Sequence, residues 1–457
     1  MGRRKPGRLS ARMVEDEEYQ LRYERCAGID VAKASGVVCV RLPPQRPGGR
    51  RVAVLETVEA TVAAIAALAG RLLAHGAEMV SMESTSDYWR IWYYVLEAHG
   101  VGVQLVNSAQ ARQLAGRPKT DDKDAQWLAR LTEMGLLRPS FVPPAEIRAL
   151  RDCARTRLGL VRDRTREYQR LEKLLEGALV KLSAQVSLTT ASAKAMIEAM
   201  IAGQRDPHAL ADLATGRMRA KKDQLARALD GMMFDDHHAG LARLHLDHIT
   251  FLDRKIAVLE DAIGACLQEI PASWGIGAGG ETGPDAGTGP DAAVLPAVAR
   301  LAEIPGVSPD LAMAIIAETG LDMTRFPDAA HLASWAGLAP VAQQSGPRNR
   351  KPKKGQGNSY LRGLCTQAAN GTARTDTFLG ERLRRIAKRR GGARARVAVA
   401  RSILTIIWHL LNDPAARFTD LGADWHDRKT DTDKKIQGHI RQLQALGLDV
   451  TITPRAA

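Results

Sequence analysis

Four carboxylates and one serine are the residues of this 457-residue sequence whose types and spacing could do chemistry. The acids are Asp30 in GIDVAK, Glu83 in SMEST, and Asp121 and Asp124 in KTDDKDAQWLA. Carboxylate oxygens are hard donors. Four of them can hold two divalent cations, and two such cations can activate a phosphodiester for displacement. Without His or Cys in the set, magnesium or manganese is favoured over zinc. Ser345 lies far downstream, before Gly346, in a Gln-, Pro- and Gly-rich loop flanked by cations. A serine hydroxyl is a weak nucleophile until a base or metal removes its proton. The nearest histidine in sequence is His331, so the activating groups would come from elsewhere, most naturally the metal site.

Each residue also has a plainer reading. Asp30 fits a polar position at a turn, Glu83 an exposed strand end, and Ser345 an inert loop serine. Asp121 and Asp122 follow Thr120, a helix N-cap residue, and acids in a first turn complement the helix dipole. Asp121 and Asp124 are three apart and share a helix face, whereas Asp122 points elsewhere.

The elements that must carry these residues form a mixed pattern. Strands are expected over Arg25–Val31, Gly36–Leu42 and Arg51–Val58, with PPQRPGG as the turn between the last two. A helix over Ala60–His75, a strand over Glu78–Glu83, a helix over Tyr88–His99 and a strand over Gly102–Val106 follow, then helices over Ser108–Ala115 and Asp121–Met134. This order predicts one sheet with helices on its faces. Asp30 falls mid-strand, Glu83 at a strand end, and their strands are candidates to lie side by side. The run Tyr88, Trp89, Trp92, Tyr93, Tyr94 could stack bases, although aromatics on a helix beside a sheet more often pack in its core.

From Pro144 the strand signal stops. Ile147–Lys181 and Lys221–Ile270 read as long charged helices, with the spacing Leu160, Arg164, Glu167, Leu171, Leu174 suggesting an antiparallel hairpin or coiled coil. Ser273–Asp291 is dense in Gly, Pro and small polar residues and reads as a linker. Its Gly275, Gly277 and Gly280 have the spacing of a dinucleotide fingerprint, but no strand precedes them and no helix follows. The division expected is an arm over 1–24, an α/β domain over 25–143, a helical coiled-coil domain over 144–271, a linker over 272–293, a mainly α domain over 294–412 and a tail over 413–457.

Net charge is +14. Between Arg348 and Arg401 there are sixteen Lys and Arg against two acids, Asp376 and Glu381, an excess equal to that of the whole chain. So localised an excess points to a phosphate-binding surface. Its candidate contacts are Lys119, Arg348, Arg350, Lys351, Lys353, Lys354, Arg362, Lys388, Arg389, Arg390 and Arg394. LAEIPGVSPDLAMAIIAETG is similar to a helix-hairpin-helix, with Ser308 where the second hairpin glycine would stand. The five cysteines form no metal-binding or disulfide pattern. No apolar run reaches membrane-spanning length and the basic amino terminus has no apolar core, so a cytoplasmic, nucleoid-associated protein without a membrane partner is expected.

Taken in order, GIDVAK, MEST, KTDDKDAQWLA, IPGVSPDLA, GLAPVAQQSG, GNSYLRGLCTQAA and RVAVARSILTIIWHLL resemble the insertion-sequence 110/1111 family of DEDD transposases, over roughly Arg25 to Asn412. The resemblance implies an α/β RNase H-like (RuvC-like) domain holding magnesium through Asp30, Glu83, Asp121 and Asp124. It implies a carboxy-terminal transposase domain whose Ser345 forms a transient covalent phosphoserine link to DNA. It further implies a structured bridge RNA that pairs with donor and target DNA, and a tetramer assembled from dimers. Two other classes fit parts of the pattern: a RuvC-like nuclease that hydrolyses branched DNA with water, for which Ser345 is dispensable, and a non-catalytic nucleic-acid scaffold, for which Asp30→Asn is silent.

Overall fold

The computed structural model describes residues 21–46, 49–84, 86–107, 120–270, 273, 295–339, 344–345, 348–349, 357–428 and 432–451. The chain divides into two compact units, Met1–Val142 and Pro143–Ala457. Several features read from the sequence lie outside the described residues: the arm up to residue 20, the helix Ser108–Ala115, Lys119, nearly all of the linker with Gly275, Gly277 and Gly280, and Arg350, Lys351, Lys353 and Lys354.

In the first unit, strands β1 (Cys26–Val31), β2 (Ser35–Leu42) and β3 (Val52–Glu59) are followed by helix α1 (Val62–Ala74), β4 (Met79–Glu83), α2 (Trp89–Ala98), β5 (Val103–Val106), α3 (Asp121–Glu133) and the short β6 (Pro139–Ser140). The sheet order is β3-β2-β1-β4-β5-β6. The first three strands form an antiparallel meander, β4 runs parallel to β1, β5 parallel to β4, and β6 antiparallel at the edge. This is the mixed sheet expected of an RNase H-like domain, and the expected strands agree with it to within a residue or so. The two-residue β6 had no alternation long enough to register in the sequence.

Strand alternation sorts the two faces. Ala27, Ile29 and Val31 of β1 and Val80 and Met82 of β4 pack into the main core with α1 and α2. Trp92 is fully buried there and Tyr93 nearly so, with Trp89 and Tyr93 edge to face at 5.8 Å. For these aromatics the core reading of the run holds, while Tyr88 stays exposed. Cys39 packs with Ala125 and Ala129 on the other face, which α3 covers. The helix comes unusually close to β1. A Cβ added to Gly28 would lie 2.7 Å from the Ala125 carbonyl oxygen and would collide with the Ala129 amide nitrogen. Only a residue without a side chain permits this approach. The far end of α3 is held by Glu133, almost wholly buried, which pairs with Arg41 at 2.9 Å and with Arg51.

The second unit opens with α4 (Ala145–Gly177), 33 residues long, and returns through α5 (Ala191–Ile201), α6 (Pro207–Asp212), α7 (Lys222–Leu229) and α8 (Asp236–Gln268), also 33 residues. α4 and α8 are antiparallel. Arg157 pairs with Glu260, Arg164 with Asp253 at 2.5 Å, and Glu167 with His245 at 2.6 Å, so partner numbers fall as α4 ascends. The sequence predicted one helix over Lys221–Ile270, but there are two. Gly231 takes a left-handed φ of 71°, and Asp235 then caps α8, accepting from the His238 amide at 3.0 Å. The ends of α4 and α8 and the short helices between them close over one apolar core that includes Leu171, Met196, Leu225 and Ile249.

From residue 295 onward come α9 (Ala297–Ala302), α10 (Pro309–Thr319), α11 (Ala329–Trp335), a two-residue hairpin of β7 (Gln344–Ser345) and β8 (Arg348–Asn349), α12 (Ser359–Gly371), α13 (Phe378–Arg390), α14 (Gly392–Asn412), α15 (Trp425–Arg428) and α16 (Thr432–Gln444). No described helix is long and apolar enough to cross a membrane.

Two predictions follow from these contacts. Gly28→Ala forces α3 away from β1 and is expected to cost about 2 kcal/mol in chemical denaturation, as overpacking does. Burial alone would raise the Glu167 pKa, but hydrogen bonds from His245 and Arg170 outweigh it and hold the carboxyl below its usual range. That stabilisation is present above the ordinary Glu pKa of about 4.3 and is lost as pH falls through the depressed value. Melting curves taken from about pH 6 to 3 should therefore drop more steeply for the natural protein than for Glu167→Gln.

Candidate active site

Asp30 is the fifth of six residues of β1, nearer its end than its middle, and Glu83 is the last residue of β4. The strands are neighbours, with Ile29 opposite Met82, so the two acids stand one step beyond that pair. Alternation puts both on the face covered by α3. Asp30 follows Cys26 and Gly28 in phase. Glu83 follows Ser81, whose hydroxyl accepts from Thr132 of α3 at 2.6 Å. Both acids are half-buried.

The direction of α3 brings the other two acids to the same end. The Cys26 thiol donates to the Ala129 carbonyl at 3.4 Å, while Gly28 faces Ala125. The helix thus runs against β1, and its first turn lies over the Asp30 end. Thr120 caps that turn, accepting from the Lys123 amide at 3.4 Å. Asp121, Asp122 and Asp124 all fall within it, where the helix dipole favours negative charge. Asp124 is half-buried and Asp121 exposed. Three element ends therefore bring four carboxylates to one end of the sheet's central strands. An all-oxygen set of this kind suits a hard divalent cation. The acids share that end and not a point: among the described residues, no three His, Cys, Asp or Glu side chains stand close enough to hold one ion.

Ser345 is in the second unit. Its backbone pairs with Arg348, and Gln344 with Asn349. The chain that carries this hairpin is pinched at its base. The Asn358 amide donates to the Trp335 carbonyl at 2.9 Å, and a Cβ on Gly357 would lie 2.6 Å from that same oxygen. Asn358 also caps α12, its Oδ1 accepting from the Tyr360 and Leu361 amides at 3.0 and 3.1 Å.

A buried acid that the sequence analysis missed anchors this base. Glu318, 2% exposed, accepts from Asn358 Nδ2 at 2.6 Å and from both arms of the Arg155 guanidinium at 2.7 and 2.9 Å. Arg151 donates to the Glu318 carbonyl at 2.6 Å and the Ala317 carbonyl at 3.0 Å. Arg155 in turn stacks over the Tyr360 ring at 4.4 Å. Partnership with Glu318 raises the Arg155 pKa further above its already high value. A signal was present in the sequence: Glu318 sits in the last turn of its helix, where the dipole disfavours an acid unless a cation answers it.

The turn of the hairpin-like segment lies between α9 and α10. Ser308 caps α10, accepting from the Leu311 amide at 3.3 Å. Gly306, φ 88°, is pressed against the Ala368 carbonyl of α12, so this turn makes its closest approach to protein. Of the basic contacts, Arg348 is placed by its backbone in β8. Arg362 is half-buried on α12, and Lys388, Arg389, Arg390 and Arg394 are exposed around Gly391, between α13 and α14.

Two family models match the chain. One, of DEDD transposases, matches residues 27–180. The other, described as the transposase IS116/IS110/IS902 family, matches residues 298–385. The chain belongs to the IS110 family of transposases. It is 25% identical, over 350 residues, to the insertion element IS116 uncharacterized 44.8 kDa protein of Streptomyces clavuligerus, covering 70% of this chain and 78% of that one. Among solved structures, Thermus thermophilus RuvC aligns with 15% identity and a TM-score of 0.21, over 25% of this chain and 99% of that chain. T. thermophilus RuvC in complex with a Holliday junction substrate aligns with 16% identity and a TM-score of 0.20, over the same shares. As an IS110-type transposase, the protein is an enzyme that cuts and rejoins DNA.

Removing Glu318 leaves Arg155 and Arg151 without their shared anion. Glu318→Ala is expected to destabilise the protein by about 3 kcal/mol, as breaking a buried ion pair does. Glu318→Gln, which keeps an acceptor for Asn358, should cost less when both variants are compared by urea titration.

Proposed function

We propose that this IS110-type transposase exchanges DNA strands by divalent-metal-dependent serine transesterification guided by a structured bridge RNA. The observation that supports its metal dependence is the convergence of β1, β4 and the first turn of α3 at one end of the central strands, with an acid on each. Asp30, Glu83, Asp121 and Asp124 would hold magnesium, with manganese as a substitute. Bound there, the metal would lower the charge of the scissile phosphate and favour the ionised serine.

The chain's own residues would do the rest. The Ser345 hydroxyl attacks phosphorus and loses its proton. A serine–phosphate ester forms as the phosphodiester bond breaks and a deoxyribose hydroxyl leaves. A hydroxyl from the exchanging strand then attacks the same phosphorus and the serine is released, so the number of phosphate esters is conserved and no high-energy cofactor is needed. Arg348, Arg350, Lys351, Lys353 and Lys354, near the serine in sequence, would hold phosphates, with Lys119, Arg362 and the Lys388–Arg394 corner extending the track. Sequence choice would lie in RNA pairing and not in the protein.

The same reading takes 25–143 as the catalytic domain, 144–271 as a coiled-coil arm and 294–412 as the transposase domain. Tetramers built from dimers would bring carboxylates and serine together, in the cytoplasm at the nucleoid.

The test is a covalent-trapping assay with the full-length protein, the RNA encoded beside its gene, labelled donor and target DNA, and magnesium, resolved on a denaturing gel. A protein–DNA adduct is expected that needs the metal and disappears in Ser345→Ala and in Asp124→Ala. Cleavage without an adduct, unchanged in Ser345→Ala and lost in Asp124→Ala, would make the protein a hydrolytic nuclease. Adducts unchanged without RNA would remove the guide.

A further inference from the structure

We propose that the carboxy-terminal helices hold a pocket for an unstacked nucleobase, at the end of the furrow between α13 and α14. A cavity of about 480 Å³ lies between the first turns of α13, the second half of α14 and the segment from Ala416 to Leu421. Its walls include Phe378, Phe418 and Ile406, and two groups of opposite charge, Arg382 and Asp420. The Nε of Arg382 is buried without a hydrogen-bond acceptor. Native proteins rarely leave such a donor unmet, and the side chain that carries it lines the cavity, so this guanidinium is the wall group with a donor still to place. Arg417, the other arginine of the cavity, is already engaged: it donates to Glu303 at 2.6 Å. The Asp420 carboxylate accepts from the Phe378 and Gly422 amides, each at 3.1 Å, and still has lone pairs for a ligand donor.

These walls select a chemistry. A free anion would meet Asp420, and a cation would meet Arg382. A flat, neutral molecule with apolar faces and an edge carrying both donor and acceptor satisfies all of them, and a nucleobase is such a molecule. The approach to the cavity supplies what a base must be attached to. Arg385 and Arg389 follow Arg382 at i+3 and i+7, on one face of α13, and Arg394 and Arg401 lead along α14 to Thr405 of the pocket wall. All four arginines are exposed. Arg384, by contrast, is tied to Glu381 at 3.1 Å. A phosphate backbone lying along the four would deliver its base to the cavity.

The inference rests on nucleic-acid binding by the second unit and not on Ser345 or the metal, so it is tested by binding alone. Full-length protein is titrated, without divalent metal, into three labelled single strands of about 12 nucleotides, a length within the usual site size: DNA, RNA of the same sequence, and an all-abasic strand with the same phosphates. The base-bearing strand that the pocket accepts should bind about tenfold more tightly than the abasic one, the scale of one stacked base. Arg382→Gln, and Ser402→Leu from the opposite wall, should erase that difference and leave abasic binding unchanged. Arg389→Gln should weaken all strands by one factor. Whichever of DNA and RNA shows the difference is the source of the base. An Arg382→Gln variant that weakens abasic and base-bearing strands alike makes Arg382 a phosphate contact and overturns the pocket, as does a natural protein that does not distinguish them. If the natural protein binds none of the three, nucleic-acid binding by this unit fails, and the pocket with it.

Discussion

The closeness of one helix to one strand governs the first unit. At Gly28 the backbone of α3 lies where a side chain would otherwise stand. Ala125 and Ala129 on the helix side are small enough to share the contact. Because the approach is backbone to backbone, it fixes the position of the helix along the strand as well as its distance. The Thr132–Ser81 hydrogen bond and the Glu133–Arg41 pair fasten the trailing end. The leading turn, which carries Asp121 and Asp124, can then lie only at the Asp30 and Glu83 end of the sheet. A helix free to slide by one turn would carry those acids about 5 Å away.

The second unit is held differently. Its long helices meet through a seam flanked by ion pairs, and most of these pairs are partly exposed, where each contributes little and salt weakens it. Glu167 in that seam is one buried exception, and Glu318 is another. Buried and bidentate with Arg155, it joins α4 to α10 and to the first turn of α12. A charge so placed is costly to strand, and so it specifies which surfaces meet more than it adds net stability.

Much of the first unit was legible in the sequence because its signals are local. Alternation marked β1 to β5 and Thr120 marked the start of α3. Which face Asp30 and Glu83 take was not legible, since it depends on which side of the sheet α3 covers, and that is decided by the absence of a side chain at Gly28. In the second unit, helical periodicity found α4 but ran through Asp230–Asp235, because Gly231 interrupts a helix only by adopting a positive φ that periodicity does not report. The Arg151–Arg155–Glu318–Asn358 cluster joins residues more than 160 positions apart, and no short motif encodes it. The family likeness depended on the order of many weak motifs; the geometry at each depended on neighbours distant in sequence.

The pinched base below Ser345 sets a radius of action. With the Asn358 amide joined to the Trp335 carbonyl, the intervening chain begins and ends at one place in the helical unit. Ser345 is ten residues from Trp335, and an extended chain advances at most about 3.5 Å per residue. Ser345 can therefore lie no farther than roughly 35 Å from that anchor. The reach of Ser345 is thus set by a length written in the sequence and by a fixed point that is a single backbone hydrogen bond.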